Sequence, residues 1–245
     1  MVFAIVCYAI FFATFLYLIV FVGDFLFATV TVDTGPQAPA AVAAIIDVAL
    51  IALFGLQHSV MARPRFKAWW TKIVPPPIER SVFVLAASLA LIILFLCWRP
   101  IDIVVWDVRN PILHDLIWVL FWAGWATVLV STFLINHFEL FGLQQAWIHV
   151  RGHQAAKPEL RQPGFYCWVA HPLYSGFFLA FWAAPQMTAG HLLLAAGVSI
   201  YMLIAIRYEE HDLTDLFGDE YRRYRSGVGM LIPKFGTSRT KTPAA

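Results

Sequence analysis

Apolar runs long enough to cross a lipid bilayer recur along this chain, at about residues 2–22, 41–61, 81–98, 113–135, 172–188 and 190–207. An α-helix rises 1.5 Å per residue, so about 20 apolar residues cover a hydrocarbon core ~30 Å thick. Lipid offers no partner for backbone N–H and C=O groups, so such runs must be helices that satisfy themselves. Six of them take up most of the 245 residues. The fold class expected is therefore all-α: a polytopic integral membrane helix bundle of about six spans, folded as a single domain over 1–245. With 60% hydrophobic residues, 13% charged and a mean hydropathy of +0.71, the composition excludes an ordinary soluble domain. The first run exceeds a signal-peptide core and lacks a basic leader or small-residue cleavage site, so it counts as a span.

Orientation follows from the 17 basic residues. Arg63, Arg65, Lys67, Lys72 and Arg80 lie between the second and third runs, Arg151, Lys157 and Arg161 between the fourth and fifth, and seven more follow from Arg207 onward. The remaining loops keep only Arg99 and Arg109. The positive-inside rule places these segments and both termini in the cytoplasm, which an even number of spans allows. The chain is thus expected as an integral membrane protein with its basic segments on the cytoplasmic face. A net charge of +2 leaves no basic surface to spare for nucleic acid. Cys7, Cys97 and Cys167 have no paired spacing, so neither a disulfide framework nor a thiolate metal site is expected. The terminal "TSRTKTPAA" reads as a frayed end.

Polar residues at span ends either anchor a membrane protein or do its chemistry. Five clusters share the inner end of this bundle: Gln57-His58, Glu79-Arg80, Asn136-His137 with Glu139, His171, and Arg207 with Glu209-Glu210. Lys67, Trp69 and Trp70 suit interfacial anchoring, but histidine is not a usual anchor. Asp24, Asp33, Asp102, Asp107, His114 and His191 fall in or beside outer loops, where ordinary solvation is expected. The last two runs form a tight hairpin turning near "APQMTAGH", which brings His171 beside Glu209 and Glu210.

Two stretches of that hairpin, "HPLYSGF" and "EEHDLTDLFGDEYRRYRSGVGMLIP", resemble the signature of membrane methyltransferases related to isoprenylcysteine carboxyl methyltransferase and the NnrU-type proteins. Upstream, "LQHSVMARPRFKAWWTKIVPPPIERSVFVLAASLALI", "WRPI" with "VVWDV", and "INHFELFGLQQAW" are similar to the bacterial methanethiol S-methyltransferases, and the resemblance covers nearly the whole chain. It implies S-adenosylmethionine as methyl donor, a small thiol as acceptor and dimethyl sulfide as product. One position departs from the pattern. The family usually has an arginine immediately before the His-Pro pair, and here stands Ala170, which leaves Arg207, Arg161 or backbone amides to meet the donor's carboxylate.

The residues have a physical reading beside the resemblance. Pro172 suits the first turn of a helix, whose free amides attract an anion such as a carboxylate. His171 and Tyr174 stand one turn apart beside it, Glu209 or Glu210 can accept from an ammonium or ribose hydroxyls, and Phe217, Tyr221 and Tyr224 can cover an adenine. The cofactor-binding set is then His171, Pro172, Leu173, Tyr174, Arg207, Glu209, Glu210, Tyr221 and Tyr224, within a donor-binding part of about 161–235. Arg222, Arg223 and Arg225 suit lipid phosphates on an amphipathic cytoplasmic tail.

Methyl transfer from sulfonium to sulfur is an in-line displacement whose nucleophile is a thiolate. The protein must supply a proton acceptor or a fixed positive charge. His137 is the first choice, with Glu139 expected to orient its ring; His58 is second, and Arg80 can hold the thiolate. Phe54, Trp122, Trp125 and Phe133 can line a pocket for so small a thiol. Two other readings are carried: an isoprenylcysteine or small-lipid methyltransferase, and a redox protein with haem held by His58, His137 and His171. No metal is expected in the methyltransferase reading.

Overall fold

The computed structural model describes residues 1–25, 27–153 and 159–234. Lys157 and the 237–245 tail, read above as part of a basic loop and as a frayed end, lie outside the described residues. In chain order the elements are α1 (Val2–Val22), α2 (Ala40–Ala62), α3 (Pro64–Trp70), α4 (Pro76–Cys97), β1 (Val104–Asp107), α5 (Pro111–Ile135), α6 (His137–Leu140), α7 (Leu143–Val150), a 3-10 turn (Gly164–Cys167), α8 (Pro172–Trp182), β2 (Gln186–Thr188), α9 (Ala189–Phe217) and α10 (Asp219–Gly227). Five of these, α1, α2, α4, α5 and α9, are long and apolar enough to cross a membrane. The result is the helical polytopic bundle the sequence predicts, an integral membrane protein.

The run at 172–188 is built differently from the others. Its helix, α8, has 11 residues, about 17 Å of rise, and stops before Pro185, which has no N–H to continue it. The chain then runs extended through β2, which pairs antiparallel with β1. Trp106 closes the join by donating its indole N–H to the Ala184 carbonyl at 3.0 Å. Six extended residues add about 20 Å, so helix and strand together still cover the hydrocarbon thickness. Unwound backbone is tolerated at this depth because β1 satisfies it. The hairpin reading survives with a half-helix for its first arm.

Why α8 lies so close to α5 is written in two glycines. A Cβ on Gly124 would sit 2.6 Å from the Ala180 nitrogen, and one on Gly176 would sit 2.7 Å from the Gly124 oxygen and 2.8 Å from the Val128 nitrogen. The helices are in backbone contact, as small residues permit in lipid. Position 124 faces 180 and 128 faces 176, so the helices run antiparallel, and the same register one turn on sets Thr132 level with Pro172.

The core fills the end of the bundle away from His171, with Phe21 of α1, Leu50 and Ile51 of α2, Leu94 and Trp98 at the end of α4, Phe121 and Trp125 of α5, Phe181 of α8 and Leu194 of α9. Two outer residues depart from ordinary solvation. His191 is 2% exposed and donates Nε2–H to the Phe181 carbonyl at 3.0 Å. Asp33 accepts from the Thr188 hydroxyl, whose oxygen in turn caps α9 through the His191 amide. Burial, more than nearby Asp24 and Asp102, pushes the Asp33 carboxyl up to about 6 against the bond from Thr188. An acid raised in the folded state lends stability that is complete below its unfolded pKa, about 3.9, and lost as pH rises through the folded value. Thermal unfolding midpoints should therefore fall between about pH 4 and 6, and Asp33→Asn should flatten that part of the curve.

Candidate active site

At the opposite end from the core, α9 outruns the bilayer. Its 29 residues rise about 43 Å, so the last turns, with Glu209 and Glu210, stand at or beyond the interface. His171 caps the start of α8 and is 3% exposed. Its Nε2 lies 3.2 Å from Glu210 Oε1 and its Nδ1 3.9 Å from Glu209 Oε2. The Tyr174 ring stands edge-on to His171 at 5.7 Å, and its hydroxyl faces Glu209. The hairpin thus brings His171, Tyr174, Glu209 and Glu210 together, as the sequence predicts, and Pro172 occupies the first helical position.

The tail completes this cluster. Gly229 and Met230 accept the amides of Ala170 and His171 at 2.7 and 3.1 Å, and Ser175 donates to the Leu231 carbonyl at 2.7 Å. Those two amides are therefore occupied, and the free N–H groups of the first turn are those of Leu173 and Tyr174. Ala170 is buried beneath this strap, 7% exposed. Tyr224 is anchored rather than open: its hydroxyl donates to the Tyr166 carbonyl at 2.9 Å, and burial pushes its pKa up to about 12. Tyr221 is 2% exposed, and its buried hydroxyl has no partner among the described residues. Burial and the Glu210 and Glu209 carboxylates all push that hydroxyl's pKa upward, so it remains a donor at neutral pH. Arg225 does not face lipid phosphates. It turns inward onto Glu210. Arg207 and Arg161 are exposed, and neither joins the cluster.

His137 has other company than expected. Glu139 is exposed and its carboxylate accepts from Asn136 at 2.9 Å, away from the imidazole. The ring is held instead by Thr132, 2.8 Å from Nδ1, and Tyr8, 2.8 Å from Nε2. Thr132 donates its own proton to the Leu129 carbonyl at 2.7 Å, so it must accept from Nδ1–H, which leaves Nε2 to accept from the Tyr8 hydroxyl. Burial pushes the His137 pKa below the usual histidine value, so the ring is neutral. Phe133 stacks on it at 4.2 Å. Both nitrogens are occupied, which leaves none for a haem iron.

His58 is the opposite case. Its ring packs against Phe83 at 4.8 Å, Phe54 at 5.5 Å and Tyr201 at 6.2 Å, and its buried Nδ1 has no hydrogen-bond partner among the described residues. Arg80 lies over Phe83 near His58, its guanidinium carbon 4.8 Å from the Phe83 ring centre and its Nε–H given to the Leu140 carbonyl at 2.7 Å. Leu140 reaches Arg80 because Gly142, at φ +86°, turns the α6–α7 loop against Ser81, where a Cβ would sit 2.7 Å away. Glu79 pairs with Lys67 at 3.6 Å. Of the aromatic side chains proposed to line a thiol pocket, Phe54 borders His58, Trp125 belongs to the core, and Trp122 and Phe133 are more than half exposed, at 51% and 57%.

The arrangement couples a polar mouth at α8–α9 with a nearby histidine that has a free nitrogen. Over 231 residues the chain is 53% identical to Methanethiol S-methyltransferase 1 of Bradyrhizobium diazoefficiens, covering 94% of this chain and 81% of that one. It is 50% identical over 226 residues to Methanethiol S-methyltransferase of Mycobacterium tuberculosis, covering 92% of each. This chain belongs to the methanethiol S-methyltransferase family. A more distant likeness, 29% identity over 178 residues, connects it to Nurim of Pan troglodytes, over 68% of this chain and 66% of that protein. No family model and no solved structure matches the chain.

Within this methanethiol S-methyltransferase family member, Arg225, Tyr201 and Tyr8 escaped the sequence reading. Arg225 had a weak signal: it follows buried Tyr221 by four residues, one helical turn on the same face of α10, and it is partly buried where Arg222 and Arg223 are exposed. Tyr201 and Tyr8 sit inside apolar runs with nothing to mark them. Tyr8 meets His137 across 129 residues of sequence.

Proposed function

We propose that this protein methylates methanethiol with S-adenosylmethionine, giving dimethyl sulfide, at the cytoplasmic face of a bacterial inner membrane with both termini in the cytoplasm. The observation that carries the reading is its 53% identity, over 94% of its length, to a protein named for that activity. The donor-binding part, about 161–235 within a single domain, offers what such a donor requires. Glu209 and His171 Nδ1 are acceptors for an ammonium or ribose hydroxyls, the Leu173 and Tyr174 amides can meet a carboxylate in place of the arginine that Ala170 replaces, and the unpartnered Tyr221 hydroxyl is a further donor. A buried hydroxyl left unpaired costs roughly 1–3 kcal/mol, so a ligand that pairs with it gains accordingly.

The bound donor supplies a methyl group on a cationic sulfur. His58 takes the thiol proton on its free Nδ1, and Arg80 lends a positive charge beside the ring while the anion exists. The thiolate forms the new S–CH3 bond in line with the one that breaks, and the bonding pair of the latter stays on the donor's sulfur, cancelling both charges. The apolar walls around His58 exclude the water that would otherwise stabilise the thiolate and slow its attack. The proton then leaves His58 for the cytoplasm. His137, pinned by Tyr8 and Thr132, fixes α1 to the α5–α8 seam.

Purified protein given S-adenosylmethionine and a panel of thiols should release dimethyl sulfide from methanethiol above a no-enzyme control. Methylation of a prenylcysteine analogue with no volatile sulfide would assign it to lipid substrates instead.

A further inference from the structure

The donor site just proposed includes His171 and Glu209 but leaves a charge balance to explain, since two carboxylates flank one buried imidazole. Glu210 Oε1 faces two donors at once: His171 Nε2 at 3.2 Å and the Arg225 Nε–H. Arg225 and Glu210 are each 26% exposed, and Arg225 Nη1 also donates to the Val228 carbonyl at 3.3 Å, at the start of the strap over His171. A carboxylate has no proton to give, so Nε2 carries the hydrogen in this contact. In the neutral ring Nδ1 is then an acceptor, and it faces a second acceptor, Glu209 Oε2, at 3.9 Å. That gap is too long for a direct hydrogen bond and suits one outside donor shared between the two atoms. Among the described residues, the hydroxyls of Tyr174 on α8, Tyr221 on α10 and Tyr166 in the 3-10 turn also lie near these carboxylates, and the other nearby cation, Arg63 at the end of α2, faces Tyr174 and is paired with Asp212 at 3.1 Å. Arg225 is the cation that meets Glu210.

We propose that Arg225 is a positioning residue: by holding Glu210 it fixes His171 as the Nε2–H tautomer, so that Nδ1 and Glu209 together form an acceptor pair for the cationic ammonium or a ribose hydroxyl of the methyl donor. This rests on the donor-site reading above. Without Arg225, Glu210 loses the guanidinium that fixes its Oε1, the Nε2–H contact is no longer held, and the ring is free to turn Nδ1 away from Glu209. The residue touches no reacting atom, so its loss weakens donor binding and spares the chemical step.

The test compares Arg225→Ala, Arg225→Lys and the exposed control Arg223→Ala in full-length protein in nanodiscs, by S-adenosylhomocysteine titration and steady-state kinetics. Arg225→Ala should raise Kd and the donor KM by about 10–100-fold, with kcat at saturating donor within about threefold of the parent. Arg225→Lys should recover most of the affinity, and Arg223→Ala should match the parent. The inference is overturned if kcat falls while KM stays unchanged, or if lysine restores nothing and both variants merely unfold at lower temperature. His171→Ala and Glu209→Gln run alongside: if they weaken binding and Arg225→Ala does not, only the role of Arg225 fails, and if none of them matters the donor site itself is misplaced.

Discussion

His58→Ala lowers kcat by roughly 10²–10⁴-fold, the usual range for loss of a general base, while S-adenosylhomocysteine binds as before. The expectation comes from a difference between two histidines at the same end of the bundle. The nitrogens of His137 are both occupied by hydroxyl groups, and its removal should act first on stability, by breaking the Tyr8 and Thr132 contacts. His58 keeps a buried nitrogen with no partner among the described residues, in apolar walls and near the Arg80 guanidinium. Raising the pH from 7 to 9 should partly restore His58→Ala, because a small thiol then arrives increasingly as thiolate. A His58→Ala enzyme with a near-normal rate at pH 7, beside an inactive but folded His137→Ala, would reverse the assignment.

The second large effect belongs to the α5–α8 seam. Gly176→Leu forces a side chain where backbone atoms already lie 2.7 and 2.8 Å from the position of a Cβ. Neither neighbour is a flexible side-chain tip, so the helices must part, and overpacking of this kind costs at least about 1–3 kcal/mol. Parting them also displaces His171, which sits at the end of the displaced helix. Thermal unfolding in detergent should show a lowered midpoint for Gly176→Leu and a smaller drop for Gly176→Ala, with donor affinity falling in the same order. An unchanged midpoint in the leucine variant would mean that the helices are not in contact there.

The parts of this molecule that were legible in the sequence are those governed by local rules. Apolar run length gave the spans, and the hairpin's tight turn brought His171 beside Glu209 and Glu210 at its other end. The half-helix of α8 was hidden because the run stays apolar through Ala183 and Ala184, and only Pro185 marks the break. The surroundings of His137 were hidden for another reason. Its partner Tyr8 is on the first helix, whereas Glu139, two residues away, lies on a different side of a short helix that faces water. Sequence proximity suggested a His–carboxylate pair, and tertiary packing supplied a His–tyrosine pair. Arg225 stood in a row of arginines whose composition reads as a lipid-facing stripe, and its inward turn accompanies buried Tyr221, one helical turn earlier on the same face. The unpartnered nitrogen of His58 has no counterpart in sequence at all, since it depends on what the facing sides of α4 and α9 fail to offer.

The account turns on donor binding at the His171–Glu209–Glu210 mouth, and direct titration of S-adenosylhomocysteine into His171→Ala, Tyr174→Phe and Glu209→Gln tests it most directly. All three should bind more weakly than the parent while remaining folded, with the largest losses, about 10–100-fold, where a charged or buried acceptor is removed. Parental affinity in all three would contradict it.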